Sequence, residues 1–510
     1  MASTAFVQAE PVLRMSREER SQIGQFLTSP RTARLLAESF SPFGQGQHIR
    51  LLDPGAGAGA LSLAFVERTL RSRPASLQLT SIESDPTIIP QLEDTLAVAR
   101  QMAEADGVRF TCKIYERDFI ELACSHLEKK LGLFSTSEFE TDFTHAILNP
   151  PYKKISNDGI ERSMLSRVGI ETSNIYAGFV ALALKLLRDH GELVAITPRS
   201  FCNGPYFKPF RELLLLDSAL LKFHVVSSRN KAFADDAVLQ ENVIFALEKT
   251  QLRPETIEIC TSEQGTFEGE VCHRVPSNLV INPRDQDKVI SLPVNSDGVN
   301  SMMTIAALPC TLSELGVEVS TGPIVDFRAK ELLREDIESG AVPLLYSSHF
   351  TEIGVQWPKN GKKPNAILIA PELDHYLVKA ETYVLVKRFS SKEERKRIVA
   401  RVLLGAELGY SLLGLENHLN YFHKGREKLD DRFAFGLCAF LNWTTLDSFF
   451  RQFNGHTQVN ASDLRRLRYP DEESLIRIGE QMLASASPWE QSFVDRIVTT
   501  SLEETMAQTT

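Results

Sequence analysis

The tetrapeptide Asn149-Pro150-Pro151-Tyr152 closes a short apolar run, His145–Leu148. Its two prolines fix the backbone and remove two N–H donors. Asn149 is thereby held at the C-terminal end of a strand, where open α/β sheets bind ligands. Its side-chain oxygen and the Pro150 carbonyl both accept hydrogen bonds, and such a pair fits a planar exocyclic amine that donates two. Engaging both amine hydrogens favours a lone pair on nitrogen, out of the ring plane, suited to attack on a methyl carried by a sulfonium. Tyr152 adds a ring on which a planar heterocycle can stack. The bland alternative is a proline turn after a strand.

A second constellation supplies the other half of such a reaction. Asp53-Pro-Gly55-Ala-Gly57-Ala-Gly59 follows the run Ile49–Asp53 and opens a helical stretch. Glycines there let the backbone turn tightly and approach a ligand, beside the free N–H groups of a helix start. The spacing is G-x-G-x-G, with Ala60 where a dinucleotide fingerprint needs its third glycine. An acid ahead of the glycines repels a pyrophosphate but suits the ammonium of an amino acid. Glu83, at the end of the next strand, is placed to accept ribose hydroxyls. Asp118, after the third, is placed to accept from an adenine amino group. A tight turn, a strand-end cap or a solvated carboxylate explains any one of these alone. In successive strand–helix units they describe a site for S-adenosyl-L-methionine rather than for a dinucleotide.

These residues need a sheet to carry them. Strand-like segments are expected at Ile49–Asp53, Leu77–Glu83, Val108–Tyr115, His145–Leu148, Leu193–Thr197, Leu221–Val226 and Asn242–Leu247. Helices are expected at Ala60–Arg71, Ile175–Arg188 and Pro209–Leu216, and one that starts at Asp85-Pro86 and stops at Gly107. Strands alternating with helices imply an α/β fold, a mainly parallel sheet with helices on both faces. The rhythm fades after about residue 250. Residues 251–330 read as connections and short strands, residues 331–510 as mixed helix and strand, and the tail from about Ser485 as polar and frayed.

The chain has 510 residues, 43% hydrophobic and 24% charged, which excludes wholesale disorder, a collagen repeat or a coiled-coil rod. The apolar stretch Tyr176–Leu187 contains Lys185 and falls short of the ~20 residues of a membrane span. The N-terminal residues carry no signal-peptide pattern. Seven dispersed cysteines without a C-x-x-C pair read as reduced thiols, with neither a zinc site nor a disulfide framework. Net charge is −10, yet Lys379–Arg468 holds 16 Lys+Arg against 10 Asp+Glu. Within it Arg395, Lys396, Arg397, Arg465 and Arg466 are candidates for phosphate contacts. Asn417, Asn420 and Tyr421 are candidates for reading or stacking bases. A solvated helix face is the alternative for each basic cluster.

Together the motifs resemble those of the S-adenosylmethionine-dependent amino methyltransferases of DNA. The likeness is to the N6-adenine class of bacterial restriction–modification systems with a C-terminal target-recognition region. It covers roughly residues 20–250. Gly24-Gln25-Phe26-Leu27-Thr28-Ser29-Pro30 resembles that family's N-terminal motif, which makes Gln25, Thr28 and Pro30 cofactor-loop residues. Asp53, Gly55, Gly57 and Gly59 match the glycine loop, Glu83-Ser84 the ribose-binding acid, and Asp118-Phe119 the adenine-binding acid. Asn149, Pro150, Pro151 and Tyr152 match the catalytic motif, with Asn149 also at the cofactor and Phe233 a second aromatic against an extruded base. Departures are Leu27, where an aromatic is common, and the alanines of the glycine loop.

The resemblance implies a Rossmann-like methyltransferase sheet over residues 1–250, a connecting region over 251–330 and a mixed α+β DNA-recognition domain over 331–510. It implies S-adenosyl-L-methionine as cofactor, no metal, and double-stranded DNA as partner. A cognate restriction endonuclease would act on the same site without binding this chain, a monomer or weak dimer of the bacterial cytoplasm. N4-cytosine methylation stays open, because that amine needs similar acceptors. So does an RNA or protein-glutamine methyltransferase, since Asn-Pro-Pro-Tyr suits those amides and bases too. A binding-only specificity subunit and a fused nuclease are not expected.

Overall fold

The structure is a computed structural model. It describes residues 28–130, 139, 141–156, 158–227, 242–263, 270–352, 354–373, 375–390, 394–425, 428–453, 458–485 and 489–509. The chain divides into two compact units, Met1–Asn295 and Ser296–Thr510.

In the first unit the elements run α1 (Pro30–Glu38), β1 (His48–Pro54), α2 (Ala60–Leu70), β2 (Ser76–Glu83), α3 (Ile89–Ala105), β3 (Arg109–Glu116) and α4 (Phe119–Lys130). They continue with β4 (Phe143–Leu148), α5 (Ile160–Arg167), α6 (Ile175–Leu186), β5 (Leu187–Pro198), α7 (Lys208–Asp217), β6 (Ala219–Ser227), β7 (Asn242–Glu248), β8 (Thr256–Glu263) and β9 (Val271–Pro276). The strands form one sheet in the order β3-β2-β1-β4-β5-β7-β6-β8-β9. β1 to β5 are parallel; β7 runs antiparallel between β5 and β6. The expected α/β architecture is present. The chain winds outward from β1 to β3 and then crosses back to β4, so β1 and β4 flank the switch point at which such sheets bind ligands.

Central strands are buried on both faces, as β4 and β7 show by their nearly unbroken apolar runs. α1, α2 and α3 pack on one another, as do α4 to α7 in a second group, which covers the sheet on two sides. α6 is buried along its length apart from Lys185, which explains a sequence almost without polarity.

Several boundaries differ from expectation. α3 starts at Ile89, because Asp85 instead folds a turn: its Oδ1 accepts from Thr87 N and Oγ1, and its carbonyl accepts from Ile88 N. The first unit runs past residue 250, since β8 and β9 join the same sheet. These strands bring two of the cysteines read as free thiols into a disulfide, Cys260–Cys272. The two residues face each other in the antiparallel β8–β9 register, a pairing their separation in sequence does not reveal.

The second unit is mixed α+β. One sheet orders β10 (Glu318–Thr321), β18 (Leu419–His423), β15 (Thr382–Lys387) and β16 (Ala400–Leu404). The other orders β11 (Leu333–Arg334), β13 (Ala366–Leu368), β12 (Ala341–Leu345), β17 (Leu412–Leu415) and β14 (Leu377–Lys379). Its helices are α8 (Ser296–Ala306), α9 (Asp431–Leu441), α10 (Thr444–Phe453), α11 (Ala461–Arg465), α12 (Glu472–Ala484) and α13 (Gln491–Thr509). The tail expected to fray is α13. Val494, Val498 and Leu502, spaced four apart, are buried along it, and Thr499 accepts from the Trp443 indole.

α9 and α12 meet backbone to backbone at Gly436 and Gly479. A Cβ on Gly479 would lie 1.7 Å from the Arg432 carbonyl oxygen, and one on Gly436 would lie 1.8 Å from that of Leu475. Only separation of the helices relieves such an overlap. Gly479→Val is therefore expected to destabilise this unit by at least the ~1–3 kcal/mol of overpacked cores. Urea unfolding of the variant would read this as an earlier midpoint of the second unit; an unchanged midpoint would contradict the close crossing.

Candidate active site

The loop after β1 carries positive φ at Gly55, Gly57 and Gly59. Gly59, at φ 84 and N-cap of α2, is strained for any other residue and is also crowded, since a Cβ would meet Leu92 Cδ1 at 2.9 Å. The loop is fastened to the end of β2. Gly55 N and Ala56 N donate to the Ile82 carbonyl, and Gly57 N donates to Glu83 Oε2 at 2.8 Å. Ser84 N and Asp85 N donate to the other oxygen, Oε1, at 2.8 Å each. Three of the roughly four acceptor sites of the Glu83 carboxylate are thus taken, leaving capacity for one ligand hydroxyl without disturbing the loop.

Asp53 is 1% exposed. Its Oδ2 accepts the Ser62 hydroxyl at 2.7 Å, whereas Oδ1 has no hydrogen-bond partner among the described residues. Burial pushes its carboxyl from the usual 3.8 up to about 7, against the pull of the Ser62 bond and with help from the Glu83 charge. A buried carboxyl oxygen without a donor either stays protonated or takes a cation.

Asp118 is exposed, and its Oδ1 caps α4 by accepting Glu121 N at 2.9 Å. Phe119, 2% exposed, stands 5.0 Å from the ring of Phe179. A Cβ on Gly55 would touch Phe179 Cε1 at 3.5 Å, so Phe179 lies against the glycine loop.

At the end of β4, Pro150 is buried and Asn149 half-buried. Asn149 Nδ2 donates to Thr28 Oγ1 at 2.9 Å, and the Tyr152 hydroxyl lies 3.2 Å from Asn149 Oδ1. Two contacts with β5 and β7 hold Tyr152: its Oη lies 3.3 Å from the Ile196 carbonyl and accepts from Asn242 Nδ2 at 3.2 Å. Its ring meets Tyr176 edge-on at 6.2 Å. Burial raises the Tyr152 hydroxyl well above its usual range, which keeps it a neutral donor.

The structure therefore joins Thr28 to Asn149, and Gly57, Ser84 and Glu83 to one another. Pro30 is exposed at the first turn of α1 and Pro151 half-exposed. Gln25 and Phe233 lie outside the described residues. Sequence reasoning missed Ser62 and Asn242. A serine on the buried side of α2 and an asparagine opening the apolar run of β7 were the available signals.

In the second unit several residues expected at a nucleic acid are elsewhere. Arg397 is 1% exposed and donates to the Ser390 carbonyl, while its backbone N–H donates to Asp447 Oδ1. It is an internal strut, not a phosphate contact. Lys396 donates to the Asn442 carbonyl, and burial lowers its ammonium to about 8. Asn420 is 0% exposed, donating to the Val459 carbonyl and accepting from Thr321 Oγ1, so it cannot meet a base. Arg465 is exposed but donates to the Val319 carbonyl, and Arg466 pairs with Asp463.

Arg395 is exposed, Asn417 is half-buried, and Tyr421 stacks on His423 at 4.9 Å. Beside Asn417, the half-exposed His418 ring is held through Nδ1 by Glu416, a fully buried carboxylate.

Residues 95–233 match the family described as Eco57I restriction-modification methylase. The chain is 39% identical to the type II methyltransferase M.PstI of Providencia stuartii, over 95% of this chain and 94% of that one. It is 41% identical to the type II methyltransferase M.BsuBI of Bacillus subtilis, over 91% of each. The type IIG restriction endonuclease BpuSI aligns in structure at 12% identity and TM-score 0.47, over 96% of this chain and 66% of that one. Among the described residues no helix is long and apolar enough to cross a membrane.

Proposed function

The chain belongs to the type II methyltransferases, and on that premise we propose that it transfers a methyl group from S-adenosyl-L-methionine to N6 of an adenine flipped out of duplex DNA. In a bacterial cytoplasm such a mark would protect host DNA from a cognate restriction enzyme. The second unit is the natural candidate for reading the target sequence. The observation that carries the reading is the Asn149 carboxamide, fixed at the end of β4, next to β1, whose Asp53 Oδ1 has no hydrogen-bond partner among the described residues.

The residues fit the cofactor in its parts. Asp53 Oδ1 would take the ammonium, Glu83 a ribose hydroxyl, and Asp118 the adenine amino group, beside Phe119. Bound there, the cofactor supplies an electrophilic methyl on a sulfonium. Asn149 Oδ1 and the Pro150 carbonyl would take the two hydrogens of the target amine, aligning its lone pair for transfer. A base must leave the stack to reach them, at a cost of a few kcal/mol, and stacking on Tyr152 would offset ~1–3 kcal/mol of it.

Asp53 makes cofactor binding depend on pH. With its carboxyl at about 7 in the free protein, it is largely neutral in mild acid. An ammonium at Oδ1 favours the ionised form, so binding below that point releases a proton. Affinity is expected to fall about ten-fold per pH unit below pH ~7 and to level off above it. Asp53→Asn should flatten the dependence and weaken binding at high pH. Calorimetric titrations across this range in two buffers of different ionisation heat would read both; a wild-type affinity independent of pH would reject the assignment.

The proposal as a whole is tested by offering purified protein and methyl-labelled cofactor to plasmid DNA, RNA and protein. Label confined to DNA is expected. Label in RNA or protein would move the activity to another substrate class.

A further inference from the structure

Tyr152 has one hydroxyl proton and two acceptors within reach, Asn149 Oδ1 at 3.2 Å and the Ile196 carbonyl at 3.3 Å. Asn242 stands at the first position of β7, 6% exposed, and donates to the same hydroxyl oxygen at 3.2 Å. Asn149 Nδ2 is tied to Thr28 Oγ1 at 2.9 Å. Which end of the Asn149 carboxamide faces a substrate is therefore set by the donor–acceptor polarity of its neighbours. Thr28 accepts at the nitrogen. The Tyr152 hydroxyl, already receiving from Asn242, has its proton left to give at the oxygen.

We propose that Asn242 is a positioning residue that makes the Tyr152 hydroxyl a two-position proton switch, directed at Asn149 Oδ1 before a target amine binds and at the Ile196 carbonyl when that amine claims Asn149. The idea rests on the reading of Asn149 as the acceptor of that amine. Before an amine binds, the bond spares a half-buried carboxamide oxygen the cost of having no donor. With an amine in place, a hydroxyl still donating to Oδ1 would compete with the amine hydrogens. The Ile196 carbonyl takes the proton with almost no movement of Oη, so the ring stays where a base would stack. Asn242 matters in both positions, because its N–H fills the lone pair through which Oη would otherwise draw the Asn149 amide nitrogen. Asn242→Asp should therefore do more harm than Asn242→Ala. A carboxylate accepts the Tyr152 proton, leaves Oη an acceptor, and favours the carboxamide turned the wrong way round.

A double-mutant cycle tests this on the full chain, with Asn242→Ala, Tyr152→Phe and the pair, and with Asn242→Asp beside them. The readouts are single-turnover methyl transfer to plasmid DNA, cofactor affinity and the urea unfolding midpoint. Asn242→Ala is expected to slow transfer about ten-fold in the parent and less than about two-fold in the Tyr152→Phe background, because its partner is already gone. Cofactor affinity should not change, and Asn242→Asp should be slower than Asn242→Ala. Equal slowing in both backgrounds would overturn the proposal, since it would make Asn242 a support of the strand alone. If the parent transfers no methyl to DNA, the assigned reaction fails. The cycle in unfolding midpoints then tests the contact the switch requires: a non-additive result supports it, and an additive one overturns the proposal. Asn242→Ser, a smaller side chain, replaces Asn242→Ala in the cycle should that variant not fold.

Discussion

Asn149→Ala is expected to slow methyl transfer about 10³-fold or more while changing cofactor affinity by less than about three-fold. The loss is specific because the carboxamide bonds are few and identified. Removing the side chain deletes the acceptor for one amine hydrogen, and the Pro150 carbonyl alone cannot turn the nitrogen lone pair out of the ring plane. The structure around it should survive. The Tyr152 hydroxyl keeps the Ile196 carbonyl as its acceptor, and Asn149 is only half-buried, so no closed cavity forms. Asn149→Asp supplies oxygen acceptors but not the amide donor to Thr28, and should fall between the parent and the alanine variant. Rapid-quench measurement with labelled cofactor gives the rate and calorimetry the affinity. An alanine variant within ten-fold of the parent rate would remove Asn149 from the chemistry.

Glu83→Ala should act on the opposite step. The carboxylate is 5% exposed and receives three backbone N–H groups, one of them from Gly57 in the glycine loop. Without it those donors, on half-exposed or exposed residues, lose their acceptor, at up to ~1–3 kcal/mol for any that water cannot reach. The ribose contact is lost as well. Cofactor affinity is expected to drop about 10²-fold or more, with an earlier thermal midpoint. Transfer at saturating cofactor should largely recover, because Asn149 is untouched. Glu83→Gln, which retains one carbonyl oxygen, should recover part of the affinity. Affinity within three-fold of the parent in Glu83→Ala would mean that the cofactor does not use this strand end.

The sheet that carries these residues was legible because its central strands are buried on both faces. β1, β4 and β7 appear in the sequence as short apolar runs and β2 as an alternating one, and their ends match within a few residues. The placement of Asp53, Glu83 and Asn149 at or beside strand ends was legible for the same reason. What escaped depended on partners far along the chain. Asp85-Pro86 has the composition of a helix start, but its side chain closes a turn. Cys260 and Cys272 become opposite only through the register of β8 and β9. In the second unit, β10 pairs with β18 and β12 with β17, strands of a few residues whose partners no local pattern announces. Charge type likewise says nothing of burial. Arg395 and Arg397 are two positions apart, yet one is exposed and the other is enclosed against the Ser390 carbonyl. The polar C-terminal tail hid a four-residue spacing, Val494, Val498 and Leu502, that binds α13 to the body of its unit.

The most direct test of Asn149 as the acceptor for an adenine amine is a nucleoside analysis. DNA from cells expressing the parent chain, and from cells expressing Asn149→Ala at equal level, would be digested and separated by mass. N6-methyladenine in the first and its absence from the second is the expected result. N4-methylcytosine in place of it, or equal methylation in both, would contradict the assignment.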